Sequence, residues 1–250
     1  MPFSDELQLK SFDETRKRTS AQYVKFTEEH RVVLRILDTH ARTVWKHWIG
    51  EANGGKGMMA NCPNTATNRI CPIDKQLDGL SNDDPVKMQR KAKRRFIVNA
   101  LERTPVTVCN SCNNVVSGKV CSNCKADLKK NDFVPMNRVK ILEGGPELFN
   151  KTLNAVEKIQ AEDFNVDITG YDINFTATGR LRDRKIAALP QQPSEISSEA
   201  LLDPETDEPQ KMYDLDLLCE PTPVEEIEAM VNGATMDELN AIRGLTSLPF

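Results

Sequence analysis

From Arg31 the chain alternates: Val32, Leu34 and Ile36 stand against Val33, Arg35 and Leu37, the two-residue period of a strand buried on one face. Residues 43–49, Thr-Val-Trp-Lys-His-Trp-Ile, read as a second strand in which aromatics interleave with Arg42 and Lys46, and Gly54-Gly55-Lys56-Gly57 marks a turn after it. Asn82-Asp83-Asp84-Pro85 predicts a helix cap, and Phe96 to Leu101 the next strand. A returning strand is expected over 136–142. Gly144-Gly145-Pro146 then opens a helix, with Leu148, Phe149, Leu153, Val156 and Ile159 at three- and four-residue steps. Phe164, Val166 and Ile168, and after Gly170 the set Tyr171, Ile173 and Phe175, alternate as a pair of strands. Lys185 to Leu189 is the last strand, closed by Pro190.

Five or so strands, one late helix and no alternation of strand with crossover helix argue against a nucleotide-binding α/β fold. They predict a mainly β protein with minor α, built on a small closed or partly open antiparallel barrel of the oligonucleotide-binding (OB) type. The expected organisation is a basic arm over 1–28, the barrel core over 29–190 with an insertion at 105–128, and an acidic tail over 191–250. The first part of that tail, rich in Pro, Ser and acids, reads as a disordered linker. Thr222-Pro223-Val224-Glu225 and Thr235-Met236-Asp237-Glu238 have capping-box spacing. They predict two short helices with apolar faces at Ile227, Met230 and Val231 and at Met236, Leu239 and Ile242, suited to docking on a partner.

The insertion carries the strongest chemical signal. Cys109-Asn110-Ser111-Cys112 and Cys121-Ser122-Asn123-Cys124 are two CxxC pairs separated by eight residues, with a two-strand hairpin expected between them. Each pair brings two thiolates to one ion from a tight turn, and two pairs complete a tetrahedron. This predicts a zinc ribbon, and with four protein ligands and no open position the zinc is structural. His47, Cys62, Cys71 and Asp74 are all zinc ligand types and form a second candidate metal site; their loose spacing suits ordinary packing residues as well. Seven cysteines, four of them in a metal pattern, fit a reducing compartment. Met1-Pro2-Phe3-Ser4-Asp5-Glu6 lacks the apolar run of a signal peptide, and no run is long enough for a transmembrane helix.

Charge divides the chain. The net charge of −4 combines fourteen Asp and Glu against two Lys and Arg from Gln191 onward, which is −12, with +8 over the remainder. A basic body with an acidic end points to a polyanionic ligand. Lys87, Arg90, Lys91, Lys93, Arg94 and Arg95 form the densest cluster. With Arg42, Lys46, Arg180 and Arg182 they supply candidates for phosphate contact. Trp45, Trp48, Phe96, Tyr171 and Phe175 are candidates for base stacking; alternation does not say which of them face a groove and which the core. No Ser/His/Asp or Cys/His nucleophilic grouping, glycine-rich phosphate loop or apolar carboxylate pair is visible, so no enzymatic activity is expected.

On these residues the chain resembles the single-stranded-DNA-binding proteins of tailed bacteriophages, of the T-even replication type. Arg31 to Leu37 followed by His47-Trp48 looks like the family's opening strand and its "HW" pair. Cys71-Pro72-Ile73-Asp74, the basic run from Arg90 to Arg95 before Phe96-Ile97-Val98-Asn99, the stretch from Val139 to Phe149, and Asp167 to Ile173 with Thr178-Gly179 are similar to elements that follow it. Arg16-Lys17-Arg18-Thr19-Ser20 matches the basic-and-hydroxyl pattern used there for cooperative contact between neighbouring copies, and the acidic end matches a partner-binding tail. The family's zinc site of one His and three Cys departs here to His47, Cys62, Cys71 and Asp74. The ribbon has no counterpart in the resemblance.

The resemblance implies a protein that coats single-stranded DNA without sequence preference in phage DNA replication, recombination and repair. It would meet replication proteins through its acidic tail, in the cytoplasm of the infected bacterial host. A different expectation follows from the ribbon itself: a zinc-ribbon transcription adaptor that binds RNA polymerase. A metal-dependent nuclease fits less well, for want of an acidic cluster in the body.

Overall fold

β-branched residues in direct succession make the first strand, and the structure, a computed structural model, buries them on both faces. β1 (Arg31–Ile36) is covered from Val32 onward, more than the single face that alternation predicts. The described residues are 22–27, 31–64, 70–109, 111–112, 115–116, 121, 123–125, 133–160, 167–179, 184–203 and 206–244. In chain order come β2 (Arg42–Ile49), a helical turn at Ala52–Gly55, β3 (Met58–Asn61), α1 (Pro72–Leu77) and α2 (Pro85–Arg90). β4 (Lys93–Glu102), β5 (Pro105–Val108), β6 (Val115–Val116), β7 (Phe133–Pro135), β8 (Arg138–Gly144) and α3 (Pro146–Gln160) follow. The chain ends with β9 (Asp172–Thr178), β10 (Lys185–Pro190), α4 (Leu215–Cys219), α5 (Val224–Val231) and α6 (Met236–Ile242). The protein is mainly antiparallel β with some helices, and none of its described helices is long and apolar enough to cross a membrane.

The chain divides into two units. The first takes residues 1–41 and 97–215, the second 42–96 and 216–250, so β4 contributes to both. In unit 1 the strand order is β10-β9-β1-β4, with β8 also pairing β4. The strands before and after the insertion are thus partners, as the sequence implies. β9 pairs β1 from Arg31↔Thr176 to Arg35↔Asp172 and pairs β10 on its other side. The strand expected at 164–168 falls largely outside the described residues; Ile168 itself opens a 3-10 turn (Ile168–Gly170) capped by Asp167.

The core of unit 1 holds a buried ion network. Arg35, wholly enclosed, donates from Nε to Asp172 Oδ1 at 2.8 Å and from its terminal nitrogens to the Thr169 and Ser194 carbonyls and Ser194 Oγ. Arg103 donates to Asp172 Oδ2 at 2.6 Å. Each nitrogen of the buried Arg35 guanidinium has a partner, as such a charge requires.

In unit 2, β2 pairs β3 from Lys46↔Asn61 to Ile49↔Met58 and lies beside β4. α2 starts where the sequence places it, with Asp84 Oδ1 accepting from the Val86 and Lys87 amides. Its core gathers Ile49, Ala52, Ala60, Ile73 and Leu77 with Ile227, Met230 and Leu239 of α5 and α6.

Two expectations are corrected here. The described strands form an open sheet rather than a closed barrel. Residues 191–244 are not a free linker with loose docking helices. Ile196, Ala200, Leu201, Met212 and Tyr213 are buried in unit 1, where Asn99 Nδ2 donates to the Tyr213 carbonyl and Gln210 Oε1 accepts from Val139 N–H. The apolar faces of α5 and α6 pack inside unit 2. Their periodicity was legible, but the same stripe serves a partner or the chain's own core, and here Ile227, Met230 and Leu239 join the core of unit 2 while Ile242 stays 48% exposed.

Candidate functional site

The two CxxC pairs lie in a small sheet of order β6-β5-β7, with Thr107↔Val116, Val108↔Val115 and Pro105↔Pro135 in register. β6 therefore pairs β5, while residues 117–120 of the expected hairpin lie outside the described residues. Lys125 N–H donates to the Cys121 carbonyl at 2.9 Å and Cys112 N–H to the Cys109 carbonyl at 3.3 Å, the tight turns that aim both thiols of a pair the same way. Cys109 Sγ is 3.4 Å from Cys124 Sγ, Cys112 Sγ 3.5 Å from Cys121 Sγ, and all four sulfurs lie within 4.8 Å of one another. This cluster could hold a metal such as zinc. Cys109 and Cys121 are buried and Cys124 is exposed; backbone hydrogen bonds in the Cys124 turn pull the Cys121 thiol below its usual pKa. A thiol that deprotonates readily suits metal ligation.

The second quartet also converges, inside unit 2. The ligand atoms of His47, Cys62, Cys71 and Asp74 lie within 4.8 Å of one another. His47 arrives from β2, Cys62 from just past β3, and Cys71 and Asp74 from the start of α1. His47 Nδ1 donates to the Arg90 carbonyl at 2.7 Å, which fixes the ring and leaves Nε2 facing Cys71 Sγ at 3.4 Å and Asp74 Oδ1 at 3.7 Å. Cys62 Sγ stands 3.6 Å from Asp74 Oδ2. The thiols divide their protons: the hydrogen bond from Cys62 holds Cys71 down at about 5, and the same bond pushes Cys62 well up. Burial pulls His47 down, yet its bonds to Cys71 and the Arg90 carbonyl outweigh this and raise it. The loose spacing hid a tight cluster because the β2–β3 pairing and the start of α1 fold 28 residues of chain back on themselves.

The candidate stacking residues separate. Trp45 is 36% and Trp48 38% exposed. Three residues apart on one strand, they emerge on opposite faces of β2. Trp48 lies flat against Gly57, where a Cβ would fall 2.1 Å from its Cζ2, and Gly57 has φ +77°. Any other residue at 57 would carry a strained backbone and push the ring from this seat. Phe96 is half-buried beneath Arg94, whose Cζ stands 4.7 Å over its ring. Tyr171 and Phe175 are fully buried, a correction to their candidacy for base stacking: Tyr171 ends the 3-10 turn just before β9, Phe175 lies with Ile173 and Ala177 on one buried row of β9, and Phe26 packs on Phe175 at 5.6 Å between centroids.

Among the candidate cations, Lys91, Lys93 and Arg94 are exposed and Arg95 is half-buried. Lys46 is buried and does not present its ammonium to solvent, a second correction; it shares the inward row with Val44. Arg42 is exposed but held in a two-pronged pair with Asp216, Nε to Oδ1 at 2.6 Å and Nη2 to Oδ2 at 3.1 Å, a partner 174 residues away that no local pattern singles out. Arg180 and Arg182, and the expected cooperativity stretch Arg16, Lys17, Arg18, Thr19 and Ser20, lie outside the described residues.

Comparison with protein-family models and with curated proteins returns no match for this chain.

Proposed function

We propose that the protein binds single-stranded DNA without sequence preference and serves DNA replication as a strand-coating protein, through unit 2. The observation that carries this reading is the pair of exposed tryptophans on β2, in the unit that also presents Lys91, Lys93 and Arg94 to solvent. Residues 42–96 hold eleven Lys and Arg against five Asp and Glu. Aromatic faces stack on any base, at about 1–3 kcal/mol each, and cations neutralise the backbone, so this combination suits sequence-tolerant binding of unpaired strands. Because Trp45 and Trp48 emerge on opposite faces, one strand meets one of them; Trp48, seated on Gly57, is the preformed platform.

In this reading the sheet is an open relative of the OB barrel, zinc holds the ribbon folded, and a second metal sits between His47, Cys62, Cys71 and Asp74. A neutral imidazole, thiolates and a carboxylate match zinc in charge and softness. Replication partners would meet a folded acidic surface bearing Glu225, Glu228 and Asp237.

The chain has two tryptophans, both in unit 2, so its tryptophan fluorescence reports on that unit, and W45F and W48F separate its two faces. Titration with oligo-dT at two salt concentrations should quench it, with log affinity falling against log salt by about 0.7 for each phosphate neutralised. W48F should remove most of the quench, and K91E/K93E/R94E most of the affinity. Unchanged fluorescence and no oligo-dT binding at low salt would overturn the reading, and capture of RNA polymerase in its place would favour the adaptor.

A further inference from the structure

β10 ends the strand order of unit 1, so among the described residues it has a strand on one side only. Its register tells which backbone groups point where. Gln191 N–H donates to the Asp172 carbonyl at 2.8 Å, and the pairing runs on through Pro190↔Ile173 and Leu189↔Asn174 to Lys185↔Thr178. In an antiparallel ladder, hydrogen-bonded and non-hydrogen-bonded pairs alternate. Leu189, Ala187 and Lys185 therefore turn N–H and C=O toward β9. Ile186 and Ala188 turn theirs away from it, as does the Pro190 carbonyl. Pro190 agrees with this phase: a residue with no N–H stands where an N–H would leave the sheet.

Beside this edge opens a groove of about 740 Å³ between β10 and α3. Its apolar part is Ile186, Ala188 and Leu189, the last 68% exposed; its charged part is Lys151 and Lys158 of α3 and Lys185 of β10, with no Asp or Glu among the lining residues. Lys151 also pairs with Glu147 at 2.6 Å across the helix surface. Edge strands are usually blunted by charge, proline, a bulge or a covering helix; α3 packs against β10, and the strand's charge and proline stand at its ends, with four apolar residues between Lys185 and Pro190.

We propose that β10 is a docking edge for an acidic, extended peptide of a partner protein. The peptide adds as a strand to the outward groups of Ile186, Ala188 and Pro190, lays apolar side chains on Leu189, and sets carboxylates against Lys151, Lys158 and Lys185. Main-chain pairing gives such a complex its affinity, and the lysines select negative charge. A nucleic acid is the poorer fit, because no aromatic ring lines the groove and a sugar-phosphate chain has no use for the outward backbone groups. This inference does not depend on the proposed DNA surface of unit 2.

The test uses the full chain and a fluorescein-labelled acetyl-Glu-Leu-Glu-Val-Glu-Glu-Glu-amide peptide, whose second and sixth residues share the face of Leu189 and Lys185, followed by anisotropy. Saturable binding is expected. It should weaken about tenfold or more in K158E/K185E, and be lost in A188P, which removes an outward N–H and leaves the bonds to β9 in place. The same peptide N-methylated at alternate amides should not bind wild-type protein, a comparison that holds even if A188P fails to fold. Oligo-dT binding should be unchanged in K158E/K185E. No peptide binding at millimolar concentration, equal binding of the N-methylated peptide, or loss of oligo-dT binding in K158E/K185E in place of peptide binding would overturn the proposal.

Discussion

Cys109 and Cys121 of the ribbon are buried, among the described residues, against little more than each other and Cys112. Cys62 and Cys71 of unit 2 are buried in a cluster that includes Ile49, Ala60, Ile73, Leu77, Ile227, Met230 and Leu239. The two ligand sets converge equally well, but they stand in opposite relation to their surroundings. In the ribbon an ion would be the core, since the sheet around it is two to four residues per strand. In unit 2 an ion would be added to a core that apolar burial already builds. Convergence of ligands is thus no measure of how much a fold depends on its metal; the apolar shell is.

The widest separation of the two sites should come from ligand removal. C121S is expected to abolish metal at the ribbon and unfold the ribbon with it, because folding free energy there is metal-binding free energy, about 10–16 kcal/mol for structural zinc in small modules at neutral pH. H47A should lose metal from unit 2 yet leave it folded. Metal counting per chain together with limited proteolysis over 105–135 checks both. A ribbon that stays protease-resistant in C121S, or a unit 2 that melts in H47A, would erase the contrast.

Next in size is the apolar shell itself. Ile227, Met230 and Leu239 are enclosed in the unit 2 cluster, so I227A should cost about 2–5 kcal/mol, read as a lower urea midpoint. Deleting residues 216–250 should unfold unit 2 outright. A free tail would predict the reverse, an unchanged midpoint and stronger binding of DNA once its acids are gone.

That segment also marks the limit of what was legible in the chain. Local signals came through: the Asp84 cap, the α3 face, the alternation of β9, the CxxC turns. Each is written in neighbouring residues. The Arg35–Asp172–Arg103 network and the Arg42–Asp216 pair join residues 69 to 174 positions apart, and the docking of α5 and α6 depends on which apolar stripe meets which. Alternation marked Tyr171 and Phe175 as one face of a strand; that this face is enclosed depends on what packs over the sheet, as Phe26 does on Phe175. His47, Cys62, Cys71 and Asp74 were recognisable by type, and their meeting needed β2 and β3 in register.

A smaller effect is expected at the departure from an all-nitrogen-and-sulfur site. Asp74 is the one partly exposed member of its quartet and its one hard oxygen ligand. D74C should slow transfer of metal from unit 2 to a chelator by about tenfold, equivalent to about 1.4 kcal/mol, and D74A should speed it. The ribbon's release rate should not move in either variant. Coupled changes at both sites would mean that the two are not independent.

The least effect belongs to a cap at the edge of the same shell. Thr235 begins α6: its hydroxyl accepts from Glu238 N–H, while the Glu238 carboxylate accepts from Thr235 N–H at 2.7 Å and from the Thr235 hydroxyl at 2.9 Å. Those bonds, the backbone one first, hold Glu238 below its ordinary value of 4.5. A depressed folded value means that the unfolded chain binds the proton more readily. The contribution is therefore complete above the unfolded value and disappears as pH falls through the folded one. Wild type should be slightly more stable than E238Q at pH 7, and the gap in urea midpoint should narrow from about pH 4.5 downward. Because α6 brings Leu239 into the unit 2 core, this loosening should register in unit 2 and leave the ribbon's metal content unchanged. A gap that persists unaltered at pH 3 would show that the carboxylate charge is not what closes the cap.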